Sequence, residues 1–140
     1  HVLMLLKYEI ERGEIKLTYK VEPKNLEVLV DKEQIEQVLI NLVKNAIQAL
    51  EENDEMDKEK LLIISANGLE NNSVSISITD NGPGIEEDAL KKIFITFFTT
   101  KKSGSGIGLS LSKQIMRQHK GSISVKSVIN QGTEFVLRFS

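Results

Sequence analysis

Short stretches of alternating apolar and polar residues are spread along the whole chain, and this alternation is the period of a half-buried β-strand. Six stretches have this pattern or a short apolar run bounded by turn residues: 15–21, 26–30, 61–66, 74–79, 123–128 and 133–139. The last two flank Asn130-Gln131-Gly132, and the two before them are joined through further Asn and Gly residues. Such links predict antiparallel hairpins.

Helical spacing of apolar residues separates these strands. Residues 1–10 have the pattern of the end of a helix, and 86–94 that of a short one. Asp31, with Gln34 three residues later, predicts the start of a long amphipathic helix that reaches Leu50. A further helix is predicted over 107–119, ended by Gly121.

This order of elements predicts an α+β domain, in which an antiparallel or mixed sheet carries helices on one face. Consecutive hairpins argue against a doubly wound parallel sheet. We expect one domain over 15–140, preceded by the end of a helix or a linker over 1–14. The charged segment 51–60 is expected to be a solvated connection. The abrupt apolar start after His1 suggests a piece of a longer protein, which leaves room for an upstream sensor or membrane anchor.

Composition narrows the class of protein only a little. Of the 140 residues, 40% are hydrophobic and 27% charged, as in ordinary globular domains. A net charge of -2 gives no support for a nucleic-acid or anionic-membrane partner. The chain has no cysteine, so disulfides and thiolate metal sites are excluded.

Two glycine-rich loops carry the first candidate chemistry. Asp80-Asn81-Gly82-Pro83-Gly84-Ile85 follows a predicted strand, and a second loop, 104–110, runs into a predicted helix. A glycine loop at a helix N-terminus suits phosphate, because unpaired N–H groups and the positive end of the dipole point at the ligand. The Asp80 carboxylate could accept a hydrogen bond from an adenine amino group. The alternative for the first loop is a plain turn.

The long helix holds Asn41 and Asn45, one turn apart at the margin of its apolar stripe. Amide oxygens are acceptable ligands for Mg²⁺, which binds mainly through substrate phosphates. The alternative is two satisfied polar residues at a helix edge.

Phenylalanines are concentrated before the second glycine loop. Phe94, Phe97 and Phe98 are followed by Thr99-Thr100-Lys101 in a stretch with little periodicity. Aromatic side chains could anchor a mobile lid, with Lys101 reaching a phosphate. The alternative is ordinary core packing for at least one of them.

Taken in order, these motifs resemble the N, G1, F and G2 boxes of the catalytic, ATP-binding domain of sensor histidine kinases. The resemblance covers roughly residues 15–140. It implies a two-layer α/β sandwich of the Bergerat type, with a mixed, mostly antiparallel sheet, about three helices on one face and a mobile ATP lid. It implies ATP and Mg²⁺ as cofactors, with Asn45 as the metal ligand and Asn41 and Asn45 as the catalytic residues. The implied ATP-binding residues are Asn41, Asn45, Asp80, Gly82, Gly84, Ile85, Phe98, Thr99, Lys101, Gly104, Gly106, Gly108 and Leu109.

One position favours a kinase over a water-activating ATPase of the same superfamily. Those ATPases place a glutamate general base one turn before the metal-binding asparagine, whereas this chain has Asn41, which cannot take a proton. The chain departs from the kinase pattern at Ile95-Thr96, where the family often has Glu-Pro, and at Gln48, where a basic residue is usual. Lys44 and Lys101 are the residues that could replace the missing phosphate contact.

The resemblance also implies partners. The acceptor would be a histidine on a separate dimerisation domain, which passes phosphate to a response regulator, in a parent kinase that is a homodimer. We expect a cytoplasmic domain without direct membrane contact. His1 lacks the acidic residue that follows an acceptor histidine, and His119 is better explained as a partner of the helix C-terminus. The alternatives are a stand-alone serine kinase of the anti-sigma-factor type, a degenerate binding module and a structural domain without nucleotide.

Overall fold

A computed structural model describes residues 1–52, 58–99 and 106–140. Its five strands form one sheet in the order β1-β2-β3-β5-β4. They are β1 (Lys16–Glu22), β2 (Leu61–Gly68), β3 (Val74–Asp80), β4 (Ser122–Val128) and β5 (Gly132–Phe139). Strands β1 and β2 are parallel and the other neighbouring pairs antiparallel, so the sheet is mixed and mostly antiparallel, as predicted.

Five helices accompany the sheet in the described residues. They are α1 (Val2–Leu5), α2 (Lys7–Arg12), α3 (Lys32–Glu51), α4 (Glu87–Leu90) and α5 (Gly108–Gln118), with a 3₁₀ turn at Glu70–Asn72. Helices α3 and α5 pack against each other and against one face of the sheet, and α1 packs on α3. The predicted α+β fold with helices on one face is confirmed.

Helix α3 lies at the centre of the structure. Its apolar stripe faces the core, and a side chain caps its N-terminus. The Asp31 side chain accepts a hydrogen bond from the Gln34 N–H at 3.1 Å, which is the predicted N-cap. Val38, Leu42 and Leu50 are fully buried between this helix and the sheet. From the facing layers, Leu62, Met116 and Leu137 fill the same core.

The other face of the sheet is mostly polar. Ser65, Ser77, Val136 and Ser124 follow one another across four strands, and the Ser65 and Ser77 hydroxyls lie 2.6 Å apart. A face lined this way is satisfied by water, which explains why the domain has only two layers.

Two predicted elements differ in the structure. Residues 26–30 form no strand, because the sheet ends at β1 and the segment has no neighbour to pair with; Leu29 is fully exposed. The helix predicted over 86–94 ends at Leu90. Bonds from the N–H groups of Lys92 and Ile95 to carbonyls three residues earlier continue it as tight turns, which bury Ile93 and expose Ile95.

The chain before β1 is helical, as expected, but is divided at Leu6 into α1 and α2. Val2, Leu6 and Ile10 nevertheless share the main core, so this segment packs on the domain. In the described part of the chain, none of the helices combines the length and the apolar character that a membrane-spanning helix needs.

Candidate functional site

A cavity of about 350 Å³ lies where α3, the loop after β3 and the start of α5 meet. This volume is in the range of small-molecule sites. The structure brings ten of the predicted site residues together in its lining: Asn41, Asn45, Asp80, Gly84, Ile85, Phe98, Thr99, Gly106, Gly108 and Leu109. Lys101 and Gly104 lie outside the described residues.

The two asparagines line the cavity from α3, and Asn41 also contacts the start of α5. Asn41 donates from Nδ2 to the Ser112 hydroxyl at 3.1 Å, and Ser112 donates to the Gly108 carbonyl at 2.9 Å. A Cβ on Gly108 would collide with the Asn41 carboxamide. The first turn of α5 can therefore approach Asn41 only because residue 108 is glycine, and Asn41 fixes that helix start beside Asn45.

The start of α5 brings backbone donors to the cavity. The helix begins at Gly108, and its first residues, Gly108 and Leu109, line the cavity. The first N–H groups of a helix have no intrahelical acceptor, so this end of the cavity is suited to phosphate.

Asp80 ends β3 with its side chain buried to 6% exposure. One carboxylate oxygen accepts the Gly82 N–H at 2.8 Å. Gly82 does not line the cavity; it lies behind Asp80, where an added Cβ would be within 3.2 Å of Ala49 on α3. The role of Gly82 is therefore to let the loop turn back against α3 and hold the carboxylate.

Residue 84 must be glycine for two reasons, which are its backbone conformation and the closeness of the neighbouring hairpin. Its φ is +78°, and a Cβ there would strike the Val128 carbonyl oxygen in the β4–β5 hairpin. The Asn130 N–H donates to the Pro83 carbonyl at 2.8 Å, and the Ile85 N–H donates to the Ser127 hydroxyl at 2.8 Å. The hairpin thus clamps the loop that carries Asp80.

Asn81 braces the same loop from the other side. Its side-chain oxygen accepts the Leu61 N–H at 2.8 Å, and its Nδ2 donates to the Glu59 carbonyl at 2.7 Å. The loop after β3 is therefore tied to the start of β2, which the sequence analysis did not foresee.

A backbone hydrogen bond joins the two ends of the predicted lid segment. The Phe97 N–H donates to the Gly106 carbonyl at 2.8 Å, and Gly106 has φ +74° with no room for a Cβ beside Phe97. Phe94 and Phe98 pack on the core, as ordinary packing predicts, and Lys113 lies 5.1 Å from the centre of the Phe94 ring. Phe97 is 74% exposed. Mobility is expected over residues 95–106, of which residues 100–105 lie outside the described residues.

Several lining residues were missed at the sequence level. They are Ala46, Ala49, Glu52, Pro83, Ile93, Thr133 and Phe135. Lys44 and Gln48, which the sequence analysis discussed, also line the cavity. Thr133 had a recognisable signal, since it is a polar residue at an inward position of an otherwise apolar strand. The missed residues on α3 had no such signal in the sequence, because their distance from the glycine loops depends on tertiary packing.

The polar side chains around the cavity suit a cation that is held mostly by oxygen atoms of a molecule bound in the cavity. In the ranges that the structure describes, no three His, Cys, Asp or Glu side chains cluster as a metal site would require. The Asn45 amide lines the cavity beside the start of α5. One amide oxygen combined with phosphate oxygens matches the coordination that Mg²⁺ prefers.

The fold is a two-layer domain in which a helix-borne asparagine pair, a buried aspartate and glycine loops surround one cavity. The sequence profile of the histidine kinase-, DNA gyrase B- and HSP90-like ATPases matches residues 30–140. The chain belongs to this family, which confirms the resemblance and indicates ATP as the ligand.

Similar proteins within this family include histidine kinases. The chain is 37% identical over 138 residues to the sensor histidine kinase ZraS of Escherichia coli K12, covering 98% of this chain and 28% of that protein. It is 41% identical over 107 residues to the histidine-protein kinase AtoS of the same strain, covering 76% of this chain and 17% of AtoS. The chain therefore spans only 17% to 28% of the length of these relatives.

Solved structures give the same result for the fold. The catalytic domain of histidine kinase ThkA superposes with a TM-score of 0.84 at 33% identity, covering 99% of this chain and 86% of that one. ShkA, solved at full length with AMPPNP, gives a TM-score of 0.83 at 25% identity, covering 99% of this chain and 28% of ShkA. The fold predicted from the sequence is confirmed.

Proposed function

We propose that this chain is the ATP-binding catalytic domain of a sensor histidine kinase, which transfers the γ-phosphoryl group of ATP to a histidine on a separate dimerisation domain. The observation that carries the proposal is the convergence of Asn41, Asn45, Asp80 and the start of α5 on one cavity. Sensor histidine kinases among the relatives support the same assignment.

The cavity has two chemically distinct ends. Asp80, buried and adjacent to Gly84, is suited to accept a hydrogen bond from the adenine amino group. Gly108 and Leu109 supply backbone N–H groups for the triphosphate, and Lys101 and Gly104 are proposed to act there on the grounds of the sequence alone. We assign Ile85, Phe98, Thr99 and Gly106 to the walls and hinge of the same site, and Gly82 to the support of the Asp80 carboxylate from behind.

The residue at the general-base position supports transfer over hydrolysis. Asn41 lies one turn before Asn45, and its amide donates to Ser112 and cannot accept a proton. A neutral imidazole is already nucleophilic, so a kinase needs chiefly positioning and charge stabilisation at this point. Glu52 and Asp80 are the acids in the described lining, and neither occupies the position before Asn45.

Asn45 is proposed as the protein ligand of Mg²⁺. When bound, the ion would neutralise charge on the phosphate oxygens and polarise the transferring group. The chain's own contribution is to hold the Asn45 amide at the cavity wall, on a rigid helix whose apolar side is buried in the core.

The proposed partners follow from the absence of an assigned acceptor in this chain. His1 contacts Glu36 at 3.0 Å, and His119 is engaged at the end of α5 by two hydrogen bonds. The acceptor would lie on a dimerisation domain outside this chain, with a response regulator downstream of it. A ThkA structure in complex with the response regulator TrrA, 30% identical with a TM-score of 0.79 and covering 99% of this chain and 37% of ThkA, is consistent with that order.

Phosphotransfer in trans tests the proposal. The chain is mixed with Mg-ATP and the histidine-bearing domain of its parent, and acid-labile, alkali-stable phosphate is measured on each component. We expect label on the added domain and none on the chain. Asn45→Ala should abolish transfer, whereas Asn67→Ala, an exposed asparagine on β2, should leave it unchanged.

Other outcomes would favour the alternatives. Steady release of inorganic phosphate without a labelled acceptor would indicate an ATPase, and acid-stable phosphate on serine would indicate the anti-sigma-factor type of kinase. ATP binding without transfer to any acceptor would indicate a degenerate binding module. Retained transfer by Asn45→Ala would refute the proposed metal role.

A further inference from the structure

Three polar side chains form a row across the helix-facing side of the sheet, where its other inward positions are apolar. Ser127 of β4 pairs with Thr133 of β5, and Thr133 pairs with Asp80 of β3. Thr133 and Asp80 are each 6% exposed, and both line the cavity. Ser127 is not part of the lining, so any role in ligand binding must act through its neighbours.

The Ser127 hydroxyl has three partners. It accepts the Ile85 N–H at 2.8 Å, it lies 2.8 Å from the Thr133 hydroxyl, and it can donate to the Gly132 carbonyl at 3.0 Å. Ile85 belongs to the loop that carries Asp80, and Gly132 begins β5. One hydroxyl thus joins the wall of the cavity to the strand beside it.

A count of protons decides the direction of these bonds. A serine hydroxyl has one proton and two lone pairs. If that proton goes to the Gly132 carbonyl, both lone pairs accept, one from Ile85 and one from the Thr133 hydroxyl, and all three bonds form. If it goes instead to Thr133, the bond to the Gly132 carbonyl is lost inside the hairpin. The first arrangement is favoured, because it forms all three hydrogen bonds and the second forms only two.

In the favoured arrangement the Thr133 proton points towards Ser127. Thr133 then has only acceptor lone pairs to offer to the cavity, next to the acceptor oxygens of Asp80. We propose that Ser127 is a positioning residue that fixes Thr133 as a hydrogen-bond acceptor and thereby makes the site select a 6-amino purine over a 6-oxo purine. This inference rests on the proposed function, since it concerns the base of the bound nucleotide.

The chemistry of the two bases explains the selection. The proposal places both acceptors at position 6 of the base. There adenine presents an amino donor, which two acceptors can bind, whereas hypoxanthine and guanine present a carbonyl oxygen, which two acceptors repel. Without Ser127, the Thr133 proton is released and can rotate into the cavity as a donor, so the penalty against a 6-oxo purine decreases. Removal of the Ser127 hydroxyl also removes the acceptor of the Ile85 N–H. This weakens the loop that carries Asp80 equally for every nucleotide.

The test compares ATP with inosine triphosphate, whose base carries the 6-oxo group in place of the amino group. Affinities of both are measured on the chain by competition against a fluorescent ATP analogue, with Mg²⁺ present. Ser127→Ala should lower the ratio of ATP to inosine triphosphate affinity by about threefold to tenfold, as expected for one hydrogen bond. Ser127→Thr keeps the hydroxyl and should keep the ratio. Ser124→Ala, on the exposed side of the same strand, is the matched control.

A double-mutant cycle separates positioning from stability. Thr133→Val removes the hydroxyl through which Ser127 acts, so it should lower the ratio by itself, and Ser127→Ala should add no further change in that background. The inference is overturned if Ser127→Ala weakens both nucleotides equally, or if it changes the ratio as much in the Thr133→Val background. If the unmodified chain binds neither nucleotide, the proposed function itself fails.

Discussion

The Asp80 carboxylate combines a structural contact with a proposed contact to the nucleotide. One oxygen holds the Gly82 N–H at 2.8 Å, and the side chain also lines the cavity. A substitution that preserves the first contact can therefore isolate the second. Asparagine does so, because its amide oxygen can still accept from Gly82 while the negative charge is lost.

Asp80→Asn should weaken ATP binding by about tenfold to a hundredfold, since a hydrogen bond to a charged group contributes about 1.5–3 kcal/mol. Isothermal titration calorimetry with Mg-ATP measures this. Glu70→Gln makes the same chemical change on an exposed turn at the opposite end of β3 and should leave the affinity unchanged. Equal affinities of Asp80→Asn and the unmodified chain would mean that the base is bound elsewhere.

Gly84 is constrained by its own backbone and by the hairpin above it. Gly84→Ala should destabilise the domain by about 1–3 kcal/mol through the positive φ alone, and the collision with the Val128 carbonyl adds to this. Chemical denaturation measures the loss. Gly13→Ala is the control, since Gly13 has φ -78° and a Cβ there would come no closer than 3.1 Å to the Ile15 side chain and 3.3 Å to the Glu9 carbonyl. A Gly84→Ala domain as stable as the control would refute the clamp.

At the scale of elements, the nucleotide site depends on how α3 and α5 are held together. Asn41 contacts the start of α5 through Ser112 and Gly108. His119 makes the second junction at the other end of α5: its Nδ1–H donates to the Ile115 carbonyl at 2.8 Å, and its Nε2 accepts the Asp31 N–H at 3.1 Å. These two bonds assign Nδ1 as the donor of the ring and Nε2 as its acceptor.

His119→Ala should lower the free energy of unfolding by about 1 kcal/mol, because both hydrogen bonds are partly exposed to solvent. Gln118→Ala, the exposed neighbour on α5, serves as the reference in urea denaturation. The variant should still support phosphotransfer to an added acceptor domain, which distinguishes a junction from an acceptor histidine. Loss of transfer with unchanged stability would contradict this interpretation.

For the whole molecule, ligand binding and folding are coupled because the site is built from distant segments. Residues of α3, β3, β5 and α5 line one cavity above one shared core. A ligand that contacts all of them stabilises the entire native state, since none of these surfaces is assembled in the unfolded chain.

Mg-ATP at ten times its dissociation constant should raise the free energy of unfolding by about 1.4 kcal/mol in a single cooperative transition. Thermal unfolding with and without nucleotide measures the shift. Asp80→Asn at the same ATP concentration should show a smaller one. Unchanged melting of the unmodified chain at saturating ATP would contradict the proposed site.

Much of this molecule could be predicted from local pattern. The five observed strands, the capped start of α3 at Asp31 and the helix after the second glycine loop depend on periodicity and on neighbours within a few residues. The segment 26–30 was predicted wrongly because its apolar residues fit a strand, and only the sheet decides whether a partner is available.

The sequence by itself determined the kind of fold and the residue types of the site, because spacing, caps and glycine loops are local properties. Only the tertiary structure decided which groups meet: Asn41 against Gly108, Gly84 beneath Val128, and Ser127 beside Thr133 and Ile85. These pairs are separated by more than forty residues in most cases, and their hydrogen bonds and close approaches exist only once the strands are in register and the helices are packed.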